Sequence, residues 1–158
     1  MRIGFGKDIH LLVKDRPLYL GGIKIEYEKG LLGHSDADVL IHAIMDAILG
    51  ALALGDIGEL FPNTNPKYQN ISSVVLLKEV YNLMLNQGYE INNLDTMIIC
   101  EEPKITPYKH QIKNKLAELL KTDAKNISIK AGTNEGLGYL GEKLAIEASA
   151  YVSIKEME

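Results

Sequence analysis

The sequence predicts an α/β (α+β) fold: a two-layer sandwich with a mixed sheet of about four main strands, a small hairpin beside it, and helices on one face. Three observations predict it. Segments that alternate at period two and are rich in β-formers are interleaved with segments carrying apolar residues at helical spacing. The chain has 158 residues, the size of one ordinary core. No linker, low-complexity run or internal repeat divides it, so residues 1–158 read as one domain.

Arg2 to Val13 alternates and is expected to be a strand. Leu18-Tyr19-Leu20 and Ile23-Lys24-Ile25 flank Gly21-Gly22, which reads as a hairpin turned on paired glycines. Residues 30–37 are expected to be a loop. Asp38, a favoured N-cap, then opens a helix over Val39 to Leu54, rich in Ala and Leu, that Gly55 to Gly58 ends. Phe61 to Pro66 is a turn-rich loop. A second helix is predicted from Ser72 to Gln87 with Gly88 closing it, then a buried strand over Leu94 to Cys100. Ile112, Leu116, Leu119 and Leu120 mark one apolar face of a third helix, Lys109 to Leu120. Ile127 to Ala131 is a short strand before the glycine-rich stretch 132–141, and Leu144 to Ile154 alternates as a last strand despite its alanines.

Composition narrows the function. Lys plus Arg number 17 against 21 Asp plus Glu, a formal charge of −4, which argues against nucleic acid or an anionic membrane as the main partner. No run of about 18 apolar residues spans a bilayer. The N-terminus enters a strand pattern at once, without the bias of a secretory or transit segment, and the one cysteine, Cys100, excludes an internal disulfide. Together these point to a cytoplasmic protein. A small phosphate ligand remains compatible, because one local site can override a weak global field.

Four histidines make their placement informative. Asp8 and His10, two apart on a strand, share a face, and His42 on the first helix can complete a three-ligand set with an open position. Two exposed polar residues near a strand end would give the same spacing. Asp38, His42 and Asp46 follow at four-residue steps on one helical face. A ligand histidine usually donates its other ring nitrogen to a carboxylate, which Asp38 or Asp46 could supply; a cap plus a solvated stripe is the plainer alternative. His34-Ser35-Asp36 precedes a helix N-terminus, where anions bind and where capping is equally at home. Gly132-Thr133-Asn134-Glu135-Gly136-Leu137-Gly138 follows a strand, as ligand loops do, with Glu135 suited to a hard cation. It is neither a Walker A nor a dinucleotide loop. His110 heads a surface helix, and Cys100 reads as a packed small hydrophobe. The residues alone lead to a metal-dependent site for a phosphorylated small molecule.

Five blocks carry a closer likeness: Arg2 to His10, Gly30 to Val39 with His42, Ala53 to Gly58, Phe61 to Pro66, and Thr133 to Gly138. In collinear order from residue 1 to about 155 they resemble the 2-C-methyl-D-erythritol 2,4-cyclodiphosphate synthase family. The resemblance implies a phosphorus-oxygen lyase of non-mevalonate (MEP) isoprenoid, or terpenoid, biosynthesis. It would convert 4-diphosphocytidyl-2-C-methyl-D-erythritol 2-phosphate to the 2,4-cyclodiphosphate and CMP. It further implies a homotrimer with active sites between subunits. Asp8, His10 and His42 would ligate zinc, one per subunit, and Glu135 a magnesium or manganese ion held with the substrate diphosphate. His34 and Thr133 would hold phosphates during catalysis. Ser35, Asp56, Ile57, Gly58, Phe61, Pro62, Asn63, Thr64 and Asn65 would surround the methylerythritol unit. Cys100, Glu101, Glu102, Pro103, Lys104, Ile105 and Thr106 would line the cytosine pocket, and Gly132, Asn134 and Tyr139 would complete the substrate contacts. Gly132 stands where threonine is usual, and Asn63 and Asn65 replace commoner aspartates. Gly141-Glu142-Lys143 replaces a Gly-Arg segment that in relatives, with the aromatic at Tyr139, can bind an isoprenoid diphosphate; Glu142 is expected to oppose that anion. A zinc phosphohydrolase and a non-catalytic ligand binder are the competing readings. The first would release free phosphate, and the second would be marked by loss of Asp8, His10, His42 or Glu135, all of which are present.

Overall fold

The computed structural model describes residues 1–158. In chain order the elements are β1 (Arg2–Lys14), β2 (Leu18–Leu20), β3 (Ile23–Ile25), β4 (Lys29–Leu31), α1 (Val39–Leu52), α2 (Ile57–Leu60), α3 (Ser73–Asn86), β5 (Tyr89–Ile99), α4 (Lys109–Leu119), β6 (Ile127–Gly132), α5 (Gly138–Gly141) and β7 (Ala145–Glu156). Five strands form one sheet in the order β4-β1-β7-β5-β6, and β2 pairs with β3 beside it. Only β5 and β6 run parallel, joined by the crossover through α4; the other pairs are antiparallel. The sheet is mixed, as expected, with β4 as a fifth strand.

Strand register sorts the side chains into two faces. Gly4, Val152, Leu94 and Ile127 form one row across the sheet, and Asp8, Ala148, Ile98 and Ala131 another. These rows face the helices, and β7 contributes Ile146, Ala148, Ala150, Val152 and Ile154 to a single core with Leu40, Ile44, Ile48, Leu77 and Leu116. The alternation that sequence reading takes as a strand is therefore burial on one face. Alanine is tolerated in β7 because α1 lies close above it.

That closeness has a visible cause. A Cβ on Gly4 or Gly6 would fall inside the Ala47 and Ala43 carbonyl oxygens of α1, and on Gly6 it would also lie 2.7 Å from the Ala47 nitrogen. Strand backbone and helix backbone are nearly in contact, and only glycine opposite alanine permits it.

Four expectations change in the structure. Lys29–Leu31, expected in a loop, is β4, paired with Leu12 to Lys14 at the sheet edge. Strand β5 starts five residues before Leu94, because the polar run Tyr89 to Asn93 pairs with the end of β7 across a bulge. Helix α1 stops at Leu52, where Ala53 turns left-handed at φ 59° and donates to the Leu49 and Gly50 carbonyls. Short helices α2 and α5 occupy segments read as loops; Asp56 caps the first by accepting from the Glu59 N–H. The glycine hairpin forms as expected, with Gly21 and Gly22 at φ +61° and +78°, the paired positive values that a two-residue turn needs.

Gly6→Ala is expected to destabilise the protein by about 1–3 kcal/mol, because the added methyl meets rigid backbone. Urea denaturation of the two proteins measures it; an unchanged midpoint would show that α1 can move away freely.

Candidate functional site

Asp8 and His10 project from β1 on the helix-facing side, two positions beyond the glycine seam, and His42 descends from the first turn of α1 to meet them. Asp8 Oδ2 lies 2.8 Å from His10 Nε2 and 3.0 Å from His42 Nδ1, and the two nitrogens are 3.2 Å apart. Four ligands about 2.0–2.1 Å from a tetrahedral ion would stand about 3.3 Å from one another. The triangle fits such an ion after a small expansion. The outward ring atoms fit as well. His10 Nδ1–H donates to the Leu32 carbonyl at 2.7 Å, which leaves the Nε2 lone pair turned inward.

Three lone-pair donors converging on one point demand a cation, which is a proton when no metal is bound. The titration shifts agree. Burial opposes ionisation of Asp8, yet hydrogen bonds and charge from His10 and His42 outweigh it and hold the carboxyl well below the usual carboxylate range. Burial likewise opposes protonation of His10, but hydrogen bonding and charge from Asp8 dominate and raise it.

The second nitrogen of His42 takes partners other than those expected. Nε2 contacts the Ser73 hydroxyl at 3.0 Å and the Ser35 hydroxyl at 3.2 Å. Ser73 Oγ in turn donates to Asp36, whose other carboxylate oxygen accepts from the Ser73 N–H at 3.0 Å. A carboxylate does orient His42, but it is Asp36, acting through a hydroxyl. Asp38 and Asp46 serve elsewhere. Asp38 is fully buried and accepts from the N–H groups of Gly21, Gly22 and Ile41 at 2.8–3.0 Å, capping α1 and pinning the hairpin. Burial raises its carboxyl above the usual range despite those bonds. Asp46 accepts from the Ile57 N–H at 2.8 Å and anchors α2. Ser73 escaped sequence reading because it follows a capping serine, Ser72, and looks like ordinary helix start; a doubled serine at a cap is the signal that could have found it.

A cavity of about 300 Å³ opens over the triangle. Of the residues expected at the site, it brings together Asp8, His10, His34, Ser35, His42, Ile57, Gly58, Phe61 and Asn63, and adds Tyr68, whose ring meets Phe61 edge-on at 5.3 Å. His34 Nε2 reaches the Asn65 carbonyl at 3.3 Å, tying the two loops that form the rim. Asp56, Pro62, Thr64 and Asn65 lie in the same rim loops without lining the cavity, and the other expected substrate contacts stand apart. Cys100 to Thr106 follow β5, and Gly132 to Tyr139 follow β6, so β7 separates them from Asp8 on β1. Within this second cluster Cys100 N–H donates to Gly132, and Thr133 Oγ donates to the Glu135 carboxylate at 3.2 Å. The expected residues thus fall into two clusters on either side of β7.

A family model described as the YgbB family matches residues 1–155. The chain belongs to the YgbB family. It is 54% identical over 150 residues to the 2-C-methyl-D-erythritol 2,4-cyclodiphosphate synthase of Clostridioides difficile, covering 95% of this chain and 93% of that one. Among solved structures it is similar to a 2C-methyl-D-erythritol-2,4-cyclodiphosphate synthase in a CDP-bound form, with a TM-score of 0.90 and 36% identity over 98% of this chain and all of that one. The bifunctional IspDF of Campylobacter jejuni superposes with a TM-score of 0.96 at 39% identity; 99% of this chain corresponds to 42% of that longer protein. The matched span includes all three members of the triangle, Asp8, His10 and His42.

Ser73→Ala removes the hydroxyl between His42 and Asp36 and is expected to weaken the affinity of the triangle for a divalent metal ion about 10- to 100-fold with the fold intact, measured by competition with a chromogenic chelator. Burial pushes the Cys100 thiol up to about 12. Its thiolate fraction at pH 8 is then about one part in ten thousand, so native protein should resist iodoacetamide that alkylates the unfolded chain at once.

Proposed function

We propose that this chain closes the 2,4-cyclic diphosphate of 2-C-methyl-D-erythritol, releasing CMP, as a phosphorus-oxygen lyase of the MEP route to isoprenoids. The observation that carries the reading is the Asp8–His10–His42 triangle, at a cavity of about 300 Å³, in a chain whose relatives are named for this synthase. The substrate is 4-diphosphocytidyl-2-C-methyl-D-erythritol 2-phosphate. Its 2-phosphate is already anionic, so the reaction needs no general base. A 2-phosphate oxygen bonds to the β-phosphorus in line, the bond from that phosphorus to the α,β-bridging oxygen breaks, and CMP carries the electron pair away. Positioning and charge neutralisation are the catalytic tasks.

The residues divide those tasks. Asp8, His10 and His42 would hold zinc and Glu135 a magnesium or manganese ion, which when bound supply Lewis-acid neutralisation of the phosphates. His34, on the cavity rim, donates a hydrogen bond to a phosphate oxygen, and Ser35 stands beside it. Asp56 with the N–H groups around Gly58, and the loop Phe61-Pro62-Asn63-Thr64-Asn65, enclose the polyol. The segment from Cys100 through Glu101, Glu102, Pro103, Lys104 and Ile105 to Thr106 receives the cytosine, largely through backbone groups. A relative whose structure is a CDP-bound form supports a cytidine nucleotide as ligand. Gly132, Thr133, Asn134 and Tyr139 flank the diphosphate.

A homotrimer with sites between subunits reconciles the two half-sites, because a neighbouring copy would bring its second cluster to this chain's first. The sheet face away from the helices supports it: Ile3 is 70% exposed, Phe5 and Leu11 50%, and Tyr151 55%. So much apolar surface on one face of a soluble domain calls for a partner. Lys143 is committed to Glu102 at 2.6 Å and leaves Glu142 unbalanced, which speaks against capture of an isoprenoid diphosphate near Tyr139. No helix is long and apolar enough to cross a membrane, in keeping with a cytoplasmic setting.

His42→Ala should lose zinc and about 10²–10³-fold or more of turnover. Metal-stripped protein should regain turnover with Zn²⁺, and ³¹P NMR should show the cyclic diphosphate. Free phosphate as the product would establish hydrolysis instead, and normal turnover by zinc-free protein would overturn the assignment.

A further inference from the structure

The segment 133–143 has little regular structure to hold it. It turns through positive φ at Glu135, Gly136, Gly138 and Lys143, and α5 is a single turn. Such a segment needs partners for its N–H groups from outside itself. The loop after β5 supplies them from two consecutive carboxylates. Glu101 Oε1 accepts from the Asn134 N–H at 2.8 Å and the Gly136 N–H at 3.3 Å. Glu102 accepts from Lys143 Nζ at 2.6 Å and from the Tyr27 hydroxyl at 3.4 Å.

The two anchors are unequal. Glu102 and Lys143 are half exposed, where water and salt screen their attraction. Glu101 is half-buried, and one of its oxygens gathers the two N–H groups on either side of Glu135. The backbone origin of the Glu135 side chain is thereby fixed from both sides. Successive N–H groups in such turns otherwise form an anion-binding concavity, and here the carboxylate fills it from within the chain.

We propose that Glu101 is a positioning residue. Its carboxylate, reaching from the end of β5, fixes the Thr133–Glu135 loop and so sets where the Glu135 carboxylate and Thr133 hydroxyl stand relative to the 100–106 pocket. The inference rests on the function proposed above, in which Glu135 holds the second cation and Cys100 to Thr106 receive the nucleotide. Both partners of Glu101 are backbone N–H groups, so an acceptor oxygen is required and a charge is not. Glutamine can do the work; alanine cannot.

The test compares Glu101→Ala and Glu101→Gln with the parent chain. Amide hydrogen exchange in ligand-free protein should quicken about tenfold or more at Asn134 and Gly136 in Glu101→Ala, and stay within about threefold of the parent in Glu101→Gln. In turnover assays Glu101→Ala should raise the Mg²⁺ concentration for half-maximal rate about 10- to 100-fold with zinc content unchanged, and Glu101→Gln should restore it. Parent-like exchange in Glu101→Ala overturns the proposal. So does faster exchange with an unmoved Mg²⁺ dependence, and so does equal damage in both variants. Failure of the proposed function would look different: the parent would not cyclise the substrate, while the exchange contrast between the variants would stand.

Discussion

The close approach of α1 to β1 is the contact on which the site depends. Gly4 and Gly6 present bare backbone to Ala47 and Ala43, so helix and strand meet without intervening side chains. The next inward positions on the strand are Asp8 and His10, and the residue before Ala43 is His42. Larger residues in the seam would hold the helix off, and His42 Nδ1 would not come within 3.0 Å of Asp8. The same approach accounts for Ala148 and Ala150 in the middle of β7, buried where α1 lies close, with the longer Ile146, Val152 and Ile154 to either side. Packing and chemistry are here one register, because the glycines that permit contact and the candidate ligands that use it follow one another along one strand face.

Electrostatics follows from that packing. A chain of net charge −4 that handles a polyanion cannot rely on a basic surface. It gathers a carboxylate and two imidazoles instead, a group that could hold a cation. The low carboxyl of Asp8 and the raised His10 express that demand in a metal-free protein. Asp36 extends the logic outward, since the Ser73 hydroxyl passes its orientation to His42 without placing a second bare carboxylate beside the ligands. Asp38 is kept out of the circle by three backbone N–H groups, which leave both its oxygens occupied.

Much of this was legible in the sequence because it is written in short-range spacing. Asp8 and His10 announce a shared face by being two apart, and the helix carrying His42 is marked by its cap and its apolar run. Gly21-Gly22 announces its turn by conformational need. What escaped depends on contacts distant in sequence. Strand β4 is three residues long and exists because the end of β1 needs a partner. The start of β5 is polar, and its pairing with the end of β7 shows only when both are seen together. The expectation that Asp38 or Asp46 would orient His42 used correct helical spacing but ignored rival donors, since the Gly21, Gly22 and Ile57 N–H groups had stronger claims. Ser73 and Asp36, 37 residues apart, carry no joint pattern in one dimension.

The sheet order explains why the expected site residues fall into two clusters. β7, the last strand, inserts between β1 and β5, so the metal triangle and the loops after β5 and β6 lie on opposite sides of it. No local rearrangement closes that gap, because β7 is paired along its length on both edges. The insertion also makes β1 and β7 neighbours, which aligns Phe5 with Tyr151, their rings 4.8 Å apart, on the face the helices do not cover. The separation of the two clusters and the uncovered apolar face are therefore two results of one strand order. In the proposed assembly they answer each other: the copy that covers the apolar face is also positioned to bring the missing half-site, so catalytic competence and subunit association would be a single property of the fold.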